Sequence, residues 1–384
     1  MTVQGRGQVR DVKNARWAQS LADGAAGTAL LHLELGEDAE EWLTAMVAEP
    51  VLAHPHQATL FDGAPAVAFT LAATTHHRAL AAVNEHVEAV IRARLDAAHR
   101  RIDSGELPAK REFDLVSGLT GLGAYLLRRH GSTERHGAQL ADVLVYLVRL
   151  TEPRLDGLPG WWATSGPTGP GPGPDWAGGH GNLGVAHGIA GPLTLLALAM
   201  RRGVVVPGHA EAVDRICRWL DQWRCGSGHR VWWPGAITRT EHVTGALRSA
   251  GPHRPSWCYG TPGIVRAQQL AALALGDIRR QRFAQRALAW CLTDEAQLAQ
   301  LSDVSLCHGW AGVLHTAWRV GEHDEQVRAH VPRLAERLAE HLLHHPPPPH
   351  GLLNGEAGLR LAQRAATTDT TPITRWDACL LLDG

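Results

Sequence analysis

The chain has 384 residues, 45% hydrophobic and 20% charged, with a formal net charge of −1. That much apolar material buries a large core, as one big domain or two medium ones. A charge this balanced leaves no basic footprint, which weighs against nucleic acid or an anionic membrane surface as partners.

Residues 1–10 are polar and glycine-bearing and lack the apolar core of a signal peptide. No later run of about 18 to 20 apolar residues is free of charge and proline, so no membrane span and a soluble, cytoplasmic protein are expected. Lys13 and Lys110 are the only lysines beside many arginines, a compositional bias that says little about function. Cysteines stand at 217, 225, 258, 291, 307 and 379. In a chain of this length without a secretion signal, reduced or metal-bound thiols are expected rather than disulfides.

In chain order, a degenerate Gly-x-x-Gly step recurs seven times, each before an apolar run. The copies begin at Gly24, Gly63, Gly118, Gly188, Gly260, Gly309 and Gly355, and the second has Ala66 in place of its last glycine. Paired glycines permit close backbone approach, so each copy reads as a loop entering a tightly packed helix. Amphipathic stretches alternate with the copies: residues 11–21, 40–49, 79–102, 138–150, 211–223, 282–301 and 327–343. Val213, Ile216, Leu220 and Trp223 show the helical spacing of their apolar faces. Seven of each predict an all-α fold, a closed α/α toroid in which seven glycine-led helices form an inner ring and seven amphipathic helices an outer one. An open superhelix shares the pattern. Closure is preferred because the apolar inner helices need burial on every side.

Two interruptions break the rhythm. Residues 158–181 carry alternating Gly-Pro chemistry at 169–174 with Trp161, Trp162 and Trp176 around it. Residues 226–255 include Val231-Trp232-Trp233-Pro234, a short strand or edge loop. Both precede copies that carry chemistry, so they read either as walls of a substrate cleft or as ordinary loops anchored by tryptophan. His344, His345 and His350, around a four-proline run, read as solvated loop.

If every step opens an inner helix, the residues just before the glycines gather at one end of the ring. Cys258 lies two before Gly260, Cys307 two before Gly309, His308 one before Gly309 and His187 one before Gly188. Two thiolates and an imidazole suit zinc, and three protein ligands leave a fourth position open. An isolated cysteine is more often a small core residue, and Cys217, Cys225, Cys291 and Cys379, outside the register, keep that reading. His187 sits where a base or acid would be placed, or caps a helix. Asp114, four before Gly118, either orients a histidine or caps a helix. From spacing alone, Arg254 and Tyr259 read as a solvated arginine and a half-buried tyrosine.

Together, the seven steps and the stretches Asn182-Leu183-Gly184-Val185-Ala186-His187-Gly188, Trp257-Cys258-Tyr259-Gly260 and Cys307-His308-Gly309 resemble the lanthionine synthetase C-like family of lanthipeptide cyclases. The resemblance covers essentially the whole chain and implies one cyclase domain over residues 1–384, with irregular insertions near 158–181 and 226–255. It implies a double ring of helices, Zn2+ held by Cys258, Cys307 and His308, His187 as acid/base, and Asp114, Arg254 and Tyr259 as further active-site residues. The implied reaction adds a peptide cysteine to a dehydroalanine or dehydrobutyrine of the same dehydrated precursor peptide, closing a thioether ring. A separate dehydratase would make that substrate. Rival readings are addition of glutathione to dehydrated residues, a non-catalytic peptide-binding scaffold, and a helical-ring glycosidase, which would want paired carboxylates at the mouth.

Overall fold

The computed structural model describes residues 15–167, 176–249 and 251–384. Its helices in chain order are α1 (Ala15–Ala18), α2 (Ala25–Leu35), α3 (Glu40–Val47), α4 (Ala64–Leu71), α5 (His77–Asp103), α6 (Lys110–Phe113), α7 (Leu119–Arg128), α8 (Glu134–Leu150) and α9 (Ala190–Arg201). There follow α10 (His209–Gln222), α11 (Arg239–Thr244), α12 (Thr261–Leu275), α13 (Ile278–Cys291), α14 (Glu295–Leu298), α15 (Trp310–Gly321), α16 (Glu325–Arg328), α17 (Val331–Leu342) and α18 (Glu356–Thr368). The glycine-led helices α2, α4, α7, α9, α12, α15 and α18 pack each on the next, and α18 returns to α2, closing the inner ring. The longer amphipathic helices, among them α5, α8, α10 and α13, pack outside the inner helices that precede or follow them. The fold is thus the closed α/α toroid expected from the repeat.

Close approach of the backbone explains the last glycine of the step. A Cβ at Gly27, Gly121, Gly263, Gly312 or Gly358 would lie 1.8 to 2.1 Å from a main-chain carbonyl oxygen, in each case that of the residue six earlier. At Gly191 the corresponding distance, to the Val185 oxygen, is 2.6 Å. The loop before each inner helix therefore folds back onto the helix's first turn, closer than any side chain allows. Three residues before the first glycine stands a core side chain: Leu21, Leu60, Leu115, Val185, Trp257, Leu306 or Leu352, all buried.

These loops also bond to one another around the ring. Leu21 N–H donates to the Phe61 carbonyl (2.9 Å), Leu115 to Ala186 (3.2 Å), Val185 to Cys258 (2.9 Å), Cys258 to Cys307 (3.2 Å), Cys307 to Leu353 (3.0 Å), and Leu353 to Ala22 (2.9 Å). At the remaining junction, between the second and third loops, the Arg94 guanidinium reaches in from α5. It donates to the carbonyls of Pro55 (2.7 Å), Ala58 (2.8 Å) and Ser117. The result is a hydrogen-bonded collar around one mouth of the toroid.

Several expectations change at the outer layer. The stretch 282–301 is two helices, because the Asp294 side chain accepts from Ala296 and Gln297 N–H and starts α14 anew. The stretch 327–343 is likewise divided, and Pro332 lies in the first turn of α17. Of the first amphipathic stretch, 11–14 lies outside the described residues and α1 covers the rest only in part; the Gly-Pro turns at 169–174 also lie outside them. His350 is not solvated loop: its ring sits edge-on to Trp17 at 5.5 Å and tilted on Trp42 at 5.2 Å. Cys225 is half-buried in a short strand rather than in the core. No helix of the described residues is long and apolar enough to cross a membrane.

The close-approach argument predicts that Gly358→Ala, whose Cβ would sit 1.8 Å from the Leu352 oxygen, destabilises the protein by about 3 kcal/mol or prevents folding. Ala66→Gly, at the one degenerate copy, should cost about 1 kcal/mol or less. Urea denaturation compares them, and equal effects would show that the collar does not impose the glycine.

Candidate metal centre

Adjacent collar loops bring the predicted ligands together. Cys258 follows the buried Trp257 in the fifth loop, and Cys307 follows the buried Leu306 in the sixth. The bond from Cys258 N–H to the Cys307 carbonyl ties the two backbones directly. One ligand atom each from Cys258, Cys307 and His308 lies within 4.8 Å of the others, and this is the one such group among the described residues. Ser256 Oγ lies 3.5 Å from Cys258 Sγ, and the hydroxyls of Ser256 and Ser305 accept the N–H groups of Tyr259 and His308.

The electrostatics match the donor set to a metal. The Cys307 thiol lowers the Cys258 thiol's pKa below the ordinary value by hydrogen bonding, against the effect of burial. The same bond, together with burial, pushes Cys307 well above. The two thiols thus lose their protons as a pair, the first more easily than the second. Burial lowers the pKa of His308, which favours the neutral imidazole that a ligand must be. Two soft sulfurs and a neutral imidazole fit zinc.

Beside this group, the third and fourth loops pair Asp114 with His187, whose Nδ1 lies 2.7 Å from Asp114 Oδ2. The carboxylate is 1% exposed, whereas the imidazole is 30% exposed. Asp114 Oδ1 also accepts the Ser117 N–H at 2.5 Å. Of the two readings the sequence left open, the contact with a histidine is present, whereas Asp114 does not cap the following helix: its bond holds the turn before Gly118, which is the N-cap of α7 and has no side-chain cap. The ring of Tyr259 stands 6.3 Å from that of His187. Burial raises the pKa of its phenol well beyond the ordinary range, so the hydroxyl stays protonated.

A cleft of about 830 Å³ reaches His187 and Tyr259 and is lined further by Lys110, Trp176, Arg254, Ser256 and Gln300 among others, while His308 faces a neighbouring hollow with Asp303 and Ser305. Arg254 is a half-buried wall residue, and its charge lowers both thiols. The two interruptions meet here: strand β1 (His180–Asn182) pairs antiparallel with β4 (Ala236–Thr238), past the hairpin of β2 (Cys225–Ser227) and β3 (Arg230–Trp232). Gly235 and Ala236 then line the cleft.

Three site residues carried no assigned role in the sequence reading. Asn182, pinned by the β1–β4 pair, donates to the Tyr259 hydroxyl at 3.1 Å and accepts the Gly184 N–H at 3.1 Å. His180, held neutral with a pKa lowered to about 4 by burial, stands behind it, 3.4 Å from the Asn182 amide nitrogen. Asp303 Oδ2 lies 3.3 Å from His308 Nε2. The signal that could have found Asn182 and Asp303 is an offset: each lies six before the first glycine of its step, as does Arg254.

A family model described as "Lanthionine synthetase C-like protein" matches residues 16–381. Among curated proteins, "Nisin biosynthesis protein NisC" of Lactococcus lactis subsp. lactis is 21% identical over 262 residues, which are 67% of this chain and 60% of that protein. The match thus spans less than two thirds of that relative's length. Among solved structures, one titled "Nisin cyclase" superposes with a TM-score of 0.79 at 20% identity, covering 95% of this chain and 92% of that one.

The thiol pair yields a prediction for reduced, metal-stripped protein. One of Cys258 and Cys307 should be alkylated by iodoacetamide at lower pH than an ordinary thiol and the other only at higher pH, as read by peptide mass mapping. In Cys307→Ala the low midpoint should disappear. Coincident midpoints in the parent chain would contradict a shared proton.

Proposed function

The chain belongs to the lanthionine synthetase C-like family, and we propose that it is a zinc-dependent lanthipeptide cyclase. Its reaction is an intramolecular Michael-type addition. The sulfur of a peptide cysteine forms a bond to the β-carbon of a dehydroalanine or dehydrobutyrine, the double bond is consumed, and the proton lost from sulfur is balanced by one gained at the α-carbon. The observation that carries this reading is the convergence of Cys258, Cys307 and His308 within 4.8 Å beside the His187–Asp114 pair.

Cys258, Cys307 and His308 would hold zinc. Bound there, it would supply acidification of an incoming peptide thiol, so that a group mostly protonated at neutral pH reacts as thiolate. The remaining work belongs to the chain itself. Asp114, buried behind His187, holds the imidazole with Nδ1 as donor and leaves Nε2 to take up or deliver a proton. Arg254 places positive charge on the cleft wall, where it steadies the enolate formed on attack. Tyr259, kept protonated by burial and already accepting from Asn182, has its own O–H to donate toward that oxygen. The Trp176 and Gly235–Ala236 walls limit water around the reacting pair.

The substrate is accordingly a dehydrated precursor peptide, supplied by a separate dehydratase, and the cytoplasm is where both would be made. Glutathione addition would use the same thiol chemistry with a different donor, and product mass separates the two: cyclisation leaves the mass of the dehydrated peptide unchanged. Paired carboxylates of the glycosidase type do not face the cleft among its described lining residues.

Metal analysis is the first test: about one zinc per chain in purified wild-type protein, lost in Cys307→Ala. His187→Asn should keep its zinc while ring closure, followed by loss of free peptide thiol at constant mass, slows by about 10²- to 10⁴-fold. Wild-type protein that holds no zinc and takes up none when it is added would overturn the metal reading. An unimpaired His187→Asn would remove that histidine from the mechanism.

A further inference from the structure

We propose that Asp303 is the positioning residue that fixes the tautomer of His308, so that His308 meets the metal through Nδ1 while its Nε2–H is given to Asp303. The inference rests on the zinc reading above.

Asp303 Oδ2 lies 3.3 Å from His308 Nε2. The contact is an ion pair by distance rather than an aligned hydrogen bond; it places a carboxylate beside Nε2 and leaves Nδ1 as the ring's other nitrogen. Cys307 and His308 are consecutive, so both reach one ion from a single stretch of backbone. Nδ1 is the ring nitrogen nearer that backbone, which suits the short reach. A ligating histidine commonly donates its other ring N–H to a carboxylate, which sets the tautomer and raises the basicity of the ligand.

The collar builds this carboxylate into place. Asp303 Oδ1 accepts the Ser305 N–H at 2.8 Å, its carbonyl accepts the Trp310 N–H at 3.1 Å, and Ser305 Oγ accepts the His308 N–H at 3.2 Å. Donor, acceptor and ligand thus share one turn of chain. Gly309 leaves the space, because a Cβ there would meet Asp303 Oδ1 at 2.3 Å. The fourth copy repeats the device. Asn182 Oδ1 accepts the Gly184 N–H, a Cβ on Gly188 would meet that oxygen at 2.4 Å, and the side chain's other polar atom is aimed at Tyr259. In both copies one atom of the residue six before the glycine anchors the turn, and the second orients a site residue.

Asp303→Asn separates the two jobs. Its Oδ1 still anchors the turn, but its amide nitrogen cannot accept Nε2–H and favours the tautomer whose Nδ1 carries the proton. Zinc affinity, measured by competition with a chromophoric chelator, should fall about 10- to 100-fold with an unchanged circular dichroism spectrum, and Asp303→Glu should restore part of it. Long-range ¹H–¹⁵N histidine spectra of the wild-type zinc protein give an independent readout and should show Nδ1 metallated. Asp303→Asn affinity within twofold of wild type, or Nε2 as the metallated nitrogen, would overturn the inference and leave the zinc reading intact. Wild-type protein that binds no zinc would overturn both.

Discussion

Everything at the mouth of this toroid depends on backbone packed against backbone. In six of the seven copies the collar loop folds over the first turn of its own helix, and the carbonyl six residues back occupies the space a Cβ would need. Once the loops lie that close to the axis, main-chain bonds join them at six of the seven junctions, and the Arg94 guanidinium closes the collar at the seventh. A buried main-chain polar group without a partner is costly, so the collar resists local distortion. The side chains it carries inherit that rigidity. Cys258 and Cys307 occupy the same position of adjacent loops, so their spacing is set by the repeat itself rather than by side-chain packing.

The opposite end of the ring is closed by a different interaction. Asp377, in the segment after α18, is fully buried and lies 2.9 Å from His315 Nε2 and 2.7 Å from Arg319 Nε. Burial alone would raise its pKa, but the Arg319 charge and the His315 bond hold the carboxyl well below the ordinary range. Arg266, also buried, donates to the carbonyls of Leu382 and Arg319, and Trp257, under the thiol of Cys258, donates to Leu380. A buried ionic cluster of this kind is weak evidence of stability, and its geometry is demanding, which favours one arrangement of the segment over others. One end of the ring is thereby filled, and access falls to the collar end, where the thiols are.

What the sequence made legible follows from this division. The glycine steps are visible because sterics at the collar tolerate almost nothing else, and the register of Cys258, Cys307, His308 and His187 follows from counting back from them. The ring and the amphipathic layer were readable for the same reason. Of the residues six before the glycine, Arg254 came only through the family resemblance and Asn182 and Asp303 were missed, because the three differ in type and act only once the loop has folded back. Breaks in the outer layer depend on single capping residues such as Asp294, which a periodic apolar pattern conceals. The β1–β4 pair escaped because three-residue strands carry too little alternation to register, and His350 because its neighbours Trp17 and Trp42 come from the other end of the chain.

The two histidine–carboxylate contacts are built differently, Asp114 reaching His187 from the preceding loop and Asp303 reaching His308 from its own. Asp114 is 1% exposed and lies 2.7 Å from His187 Nδ1, whereas Asp303 is 34% exposed and lies 3.3 Å from His308 Nε2. A carboxylate shielded from water acts on its partner far more strongly than one in contact with it. The buried pair thus holds the His187 ring in one orientation, with Nδ1 committed to Asp114 and Nε2 left free among the described residues. The more exposed pair suits a histidine whose proton should never move, since a ligand needs a fixed tautomer and no extra charge. Asn182, with the same turn and no charge, completes the series: it directs the Tyr259 hydroxyl without drawing its proton away. The repeat supplies that turn twice, at Asn182 and Asp303, and the choice of asparagine or aspartate sets which site residue each copy orients.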